Sequence, residues 1–184
     1  MTSRNTFVRS LHDIGLAAWF GGSLMGAVGL NGATAQAKKP KERLRLSSLG
    51  WARWAPIQIA AIAIHGIGGL GLIAGNKSRL AAQAESRSNT GAKLALTVLA
   101  GATTVYSGIL GRKIGAHSSE ETKGVTEPAE ETSDRLAAVQ KQQRVVQWVT
   151  PVITLVLIVL AAQQGEQQRP LKGFATTTLK NLGK

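Results

Sequence analysis

Val145–Ala162 reads VVQWVTPVITLVLIVLAA, eighteen residues without Asp, Glu, Lys or Arg. As a helix rising 1.5 Å per residue it reaches about 27 Å, close to the ~30 Å hydrocarbon thickness of a bilayer. Pro151 falls in the first turns, where a missing N–H costs least. The uncharged run continues to Gly165. Three more such runs lie upstream: Ile14–Ala37, Trp54–Asn76 and Leu94–Gly111. Together the four cover 86 of the 184 residues, and the other 98 carry all 32 charges. Random placement would put roughly 15 charges in the 86. The pattern predicts an all-α, integral membrane four-helix bundle, with helices over about 11–36, 52–76, 92–114 and 134–166.

The averages hide this segregation. Lys and Arg total 22 against 10 Asp and Glu, a net charge of +12, with mean hydropathy +0.02. Taken alone, these describe a small basic soluble protein and invite a nucleic-acid reading. No aromatics interleave with the basic residues, because every Trp lies in or beside an uncharged run, so no nucleic-acid partner is expected. The absence of Cys excludes disulfides, thiolate metal sites and a Cys nucleophile. The first and third runs are rich in Gly, Ala, Ser and Thr, and for them a buried helix of a soluble bundle is the competing reading. The first also resembles a signal peptide, with Arg4 and Arg9 before it and Ala33-Thr34-Ala35 after it. His12, Asp13 and the length of the run favour a retained helix.

Helices associate in lipid through close approach of small residues. The first helix offers Ala18, Gly22 and Gly26, the second Gly71 and Gly75, the third Ala100, Thr104 and Gly108. Internal packing of one bundle is the plain expectation; a face for another subunit is the sharper one. The fourth helix lacks such a stripe, and its Leu, Ile and Val read as lipid-facing. Trp51 and Trp54 read as interfacial anchors.

Four crossings place both termini on one side, here side A. Side A then carries 10 Lys and Arg and side B 12, too even to orient the chain by the positive-inside rule. The densest cluster, Lys38–Arg45, lies on side B and leans that side weakly toward the cytoplasm. Its Lys38, Lys39, Lys41, Arg43 and Arg45 suit anionic lipid headgroups, each cation contributing about 1 kcal/mol near the surface; a solvated orientation signal is the alternative. Residues 115–132 read as a mobile polar loop. Thr132 or Ser133 would cap a fourth helix starting near Asp134, with Leu136, Val139, Gln143 and Val146 on one face. Residues 170–184 read as a polar or interfacial tail.

Groups for chemistry are few. His65 lies inside the second span, 11 residues before Asn76 and so about 16 Å from its side-A end. An ionisable side chain at that depth is a functional candidate, with a neutral core imidazole as the plain alternative. His12 stands at the side-A end of the first span, with Asp13 beside it. Counted from the uncharged runs, the two His are several turns apart, too far to share one haem iron. The spans lack the acids of a di-metal carboxylate site or a proton relay.

The run LHDIGLAAWFGG at Leu11–Gly22 resembles the first helix of small bacterial membrane proteins of the copper-resistance-protein-D-like kind. The resemblance rests on His12, Trp19, Gly21 and Gly22 and covers one helix of four. It implies a helical membrane bundle with copper handling or haem binding; the lack of Cys and the presence of only two Met run against a soft Cu(I) site. The residues together suggest a non-enzymatic protein of a bacterial plasma membrane. It would be a structural or accessory subunit, partnered by lipids, other membrane subunits or its own copy. The alternative is a haem- or metal-binding protein using His65 and His12, with haem b the cofactor in view.

Overall fold

The computed structural model describes residues 5–77, 81 and 84–167. The expected tail over 170–184 lies outside the described residues. Four long helices make up the fold: α1 (Thr6–Ala35), α2 (Pro40–Gly75), α3 (Ala84–Gly115) and α4 (Asp134–Gln167). All four are long and apolar enough to cross a membrane, and the described residues contain no strand. The protein is an all-α four-helix bundle.

Local chemistry sets the helix ends. Pro40 takes the first position of α2, where its fixed φ suits the helix and its missing N–H is no loss. At the far end, the Asn76 amide donates to the Leu72 carbonyl at 2.7 Å. The Leu136 N–H reaches Ser133 Oγ at 3.3 Å, so Ser133 caps α4 as expected, and Asp134 adds a favourable charge in the first turn. Leu136 and Gln143 are buried and Val139 and Val146 half-buried, the face read from their spacing. Two helices begin well before their uncharged runs, α2 at 40 rather than 52 and α3 at 84 rather than 92. Charged residues are sound helix formers, and burial of Leu44 and Ser47 holds the added turns of α2 against the bundle.

α1 packs closely along α2, α3 along α4, and α1 joins the two pairs through α4, whereas α2 and α3 meet only sparsely. Glycine makes the α1–α2 contact. A Cβ on Gly15 would lie 2.6 Å from the Ala61 carbonyl oxygen and the His65 nitrogen. Gly22 and Gly26 receive the indoles of Trp54 and Trp51, and Gly71 and Gly75 receive Val8 and Asn5. Trp51 and Trp54 are therefore packing elements of the α1–α2 pair. Ala18 borders the core of Leu16, Trp19, Ala61, Ala100, Ile153 and Leu157. Gly108 does not serve internal packing: its Cβ direction meets nothing within 4 Å. On α4, Ile153 and Leu157 turn inward while Val152, Leu155, Val156 and Val159 are exposed, so its aliphatic residues divide between core and outer surface.

A π turn, Gly26–Leu30, interrupts α1 between α-helical stretches Thr6–Met25 and Asn31–Ala35. The extra residue it absorbs rotates the last stretch of α1, so Asn31 and Thr34 are buried rather than Leu30 and Ala33. Asn31 then ties three helices. Its Oδ1 accepts from Ser47 Oγ at 3.1 Å and Trp51 Nε1 at 3.0 Å, and its Nδ2 donates to Gln147 at 3.0 Å.

Residues 115–132, read from composition as a mobile polar loop, are folded onto the side-B end. Val125 joins Leu44, Ile114 and Leu136 in a second apolar cluster. Gln140 donates to the carbonyls of Gly124 and Val125 at 3.0 and 3.1 Å. Arg43 donates to the carbonyls of Thr122 at 2.7 Å and Ala37 at 3.2 Å. Glu120 accepts from the Ser133 amide at 2.9 Å and its hydroxyl at 3.1 Å. That amide bond holds the Glu120 carboxyl below its ordinary range.

Candidate functional site

The glycine contacts set the register of α1 on α2. Asn5 lies opposite Gly75, Val8 opposite Gly71, and the His12 backbone opposite Gly68. Because α1 starts at Thr6, His12 is nearly two turns inside the helix, level with His65. The two His meet, a correction to the separation inferred from the uncharged runs. Those runs begin where charge stops, whereas the helices pair end to end, and α1 extends eight residues before its run.

The imidazoles of His12 and His65 stack, with centroids 4.0 Å apart and planes 21° from parallel. Nδ1 of each ring lies 3.0 Å from the backbone carbonyl oxygen of the other. A carbonyl only accepts, so Nδ1 of each ring carries a proton. His65 Nε2 faces the Thr97 hydroxyl of α3 at 3.5 Å. Trp19 meets His65 edge-on at 6.1 Å, and its indole N–H donates to Thr104 Oγ1 at 3.1 Å. His65 is thus held by groups from α1 and α3. Of the pair it is the buried member, while His12 is half-buried.

A cavity of about 590 Å³ opens beside the pair toward side A. Arg9, His12, Asp13, His65, Lys93 and Thr97 are among its polar lining, with Asn76 and Thr90, and Leu16, Leu70, Leu94 and Ile158 form much of its apolar wall. A second cavity, about 470 Å³, lies toward side B between α2 and α3. Ser23, Asn31, Ser47, Thr104, Ser107 and Gln143 are among its lining. Gln143 Nε2 donates to Ser107 Oγ at 2.8 Å, while its Oε1 is buried without a partner.

Stacked rings face each other, whereas two axial ligands of one haem iron must point their nitrogens at it from opposite sides. The pair does not have that form. Among the described residues no three His, Cys, Asp or Glu cluster closely enough to hold a metal ion. Lys38, Lys39, Lys41 and Arg45 are exposed at the start of α2. Asn31, Thr97 and Lys93 escaped the sequence reading, and Gln143 entered it only as part of the inward face of α4. The clues to the first two were a lone Asn in the first uncharged run and a Thr one turn past Lys93. No protein-family model, curated protein or solved structure matches this chain.

Proposed function

We propose that this chain is a small, non-enzymatic integral membrane protein, a structural or accessory subunit of a bacterial plasma membrane. It works by lateral association, its occupant being a transmembrane helix of a partner subunit or of a second copy. One observation supports this reading above others. Internal packing takes up Gly15, Gly22 and Gly26 of α1 and Gly68, Gly71 and Gly75 of α2; Gly21 and Gly32 of α1 and Gly66 of α2 face open space singly, whereas α3 has Gly91, Gly101, Gly108 and Gly111 all facing open space. Gly108 and Gly111 line the side-B cavity, at the seam where α2 and α3 meet only sparsely. A smooth small-residue face at membrane depth is what close helix approach requires, and the unpaired Gln143 Oε1 adds an acceptor that a partner donor would satisfy.

Gly101→Trp and Gly108→Trp test the reading, because a Cβ at either position meets nothing within 4 Å. After gentle extraction from native membranes, the wild type should run as a complex of fixed stoichiometry, with its second component identified by mass spectrometry. Each Trp variant should run as a single chain with an unchanged unfolding midpoint. A wild type that extracts as a lone chain, or variants that keep the complex, would refute it. The alternative, a haem- or metal-binding protein using His65, draws on the same His pair, and its stacked geometry argues against one iron shared between the rings. Whether exposed Lys38, Lys39, Lys41 and Arg45 hold anionic headgroups is part of the same proposal.

A further inference from the structure

We propose that the side-B cavity holds the sugar head of an uncharged glycolipid. At about 470 Å³ it falls in the size range of small-molecule sites. Along α2 its wall runs from Ser47 to Gln58, eleven residues on, and so about 16 Å. Arg53 and Arg112 bound the uncharged runs here, so the cavity straddles the lipid boundary, with Gln58 inside the span and Ser48 outside it. Much of the polar lining is already committed. Ser23 donates to the Trp19 carbonyl at 2.8 Å, Ser47 to Asn31 at 3.1 Å and Thr104 to the Ala100 carbonyl at 2.8 Å. Three side chains keep capacity. Gln58, half-buried, has no hydrogen-bond partner among the described residues, and neither has Ser48. Ser107 Oγ accepts from Gln143, which leaves the hydroxyl its own proton to donate.

These groups select the ligand. An unmet carboxamide within a span is unfavourable, and its complement is a group that both donates and accepts, which a hydroxyl does and an ion does not. Arg112, the one charged lining residue, is exposed, and an anionic head drawn down to Gln58 would meet no cation there. Gln58 and Ser48 lie ten residues apart, about 15 Å along the helix. A single hydroxyl cannot serve both, whereas a sugar head carries several. Trp51 adds an aromatic surface to the wall, of the kind against which the C–H face of a sugar ring packs. The sparse α2–α3 contact leaves a lateral path for acyl chains. Gly101, on the face proposed for a partner helix, does not line this cavity, so the two readings are separable.

The test places the full-length chain in phosphatidylcholine nanodiscs doped with diglucosyl diacylglycerol and counts retained lipid by native mass spectrometry. One glycolipid per chain should bind and saturate, on the order of tenfold or more tighter than diacylglycerol of the same chain length, given what two hydrogen bonds contribute. Gln58→Leu should weaken it about fivefold by the same reasoning. Gly111→Trp should abolish binding, because Gly111 lines the cavity and its Cβ direction is open. Gly101→Trp, which tests the partner helix, should leave glycolipid binding unchanged, so either reading can fail alone. Equal retention of diacylglycerol would overturn the proposal, as would unaffected Gln58→Leu or Gly111→Trp variants. Phosphatidylglycerol held as tightly as the glycolipid would overturn it in favour of a headgroup on Arg112. Free maltose bound as tightly would replace the lipid with a soluble sugar.

Discussion

Gly68→Ala and Gly66→Ala differ by two positions on α2 and should behave in opposite ways. A Cβ on Gly68 would lie 2.5 Å from the His12 backbone nitrogen and 2.7 Å from its Cα, against an ordinary contact that begins at 3.4 Å. Backbone atoms cannot swing aside, so the helices must part by about 0.9 Å at this level, the difference between those distances. Both His Nδ1–carbonyl bonds, now 3.0 Å, would stretch beyond hydrogen-bonding range. Overpacking costs ~1–3 kcal/mol, and each lost bond ~0.6 kcal/mol by measured membrane averages. The sum is about 2–4 kcal/mol from one methyl group. At Gly66 nothing stands within 4 Å, and Ala is the better helix former, so stability should hold or rise slightly. Unfolding titrations of both variants in mixed micelles, followed by tryptophan emission, measure the contrast. If Gly68→Ala proved no less stable than Gly66→Ala, the α1–α2 register, and the His pair with it, would be wrong.

Asn31→Leu removes all three bonds of the polar node and should destabilise the protein by about 2 kcal/mol at ~0.6 per membrane hydrogen bond, with a change in Trp51 emission that Thr34→Val does not produce. Arg43→Met frees the Thr122 carbonyl and should speed tryptic cleavage at Lys123 several-fold while leaving the helical circular dichroism unchanged. Glu120, whose folded carboxyl titrates below its ordinary range, contributes loop order that is complete above the ordinary carboxylate range. That order is lost as pH falls through the depressed value. Hydrogen exchange at the Ser133 amide should accelerate across that acid window, and Glu120→Ala, which has no acceptor, should show fast exchange at every pH.

Charge placement made the four helices legible, because a bilayer penalises charge so heavily that its absence over eighteen or more residues is close to a structural statement. The cap at Ser133 and the inward face of α4 followed from local rules that hold within one helix. The His pair did not. Its formation depends on how far one helix slides along another, and that offset is set by the shapes of Gly15, Gly68 and Gly71 against particular neighbours. Uncharged runs report where lipid begins, which is a different boundary from where helices pair. Composition also gave no sign of the contacts that residues 115–132 make. A single apolar side chain, Val125, plus carbonyls taken up by Arg43 and Gln140, anchors a segment whose averages read as unstructured. Gly108 is the reverse case: its spacing matches that of the packed glycines, and the space beside it is open.

The π turn at Gly26–Leu30 has a genetic corollary. A fixed 100° wheel drawn through all of α1 is out of phase beyond Met25, so it places Leu30 and Ala33 where Asn31 and Thr34 belong. Deleting any one codon from 26 to 30 would let the helix wind regularly and turn its last stretch by about a quarter revolution. Membrane length, charge and hydropathy would hardly change, and a topology scan would see the same span. The three-helix knot at Asn31 would nonetheless come undone, a lesion invisible to any inventory of side chains.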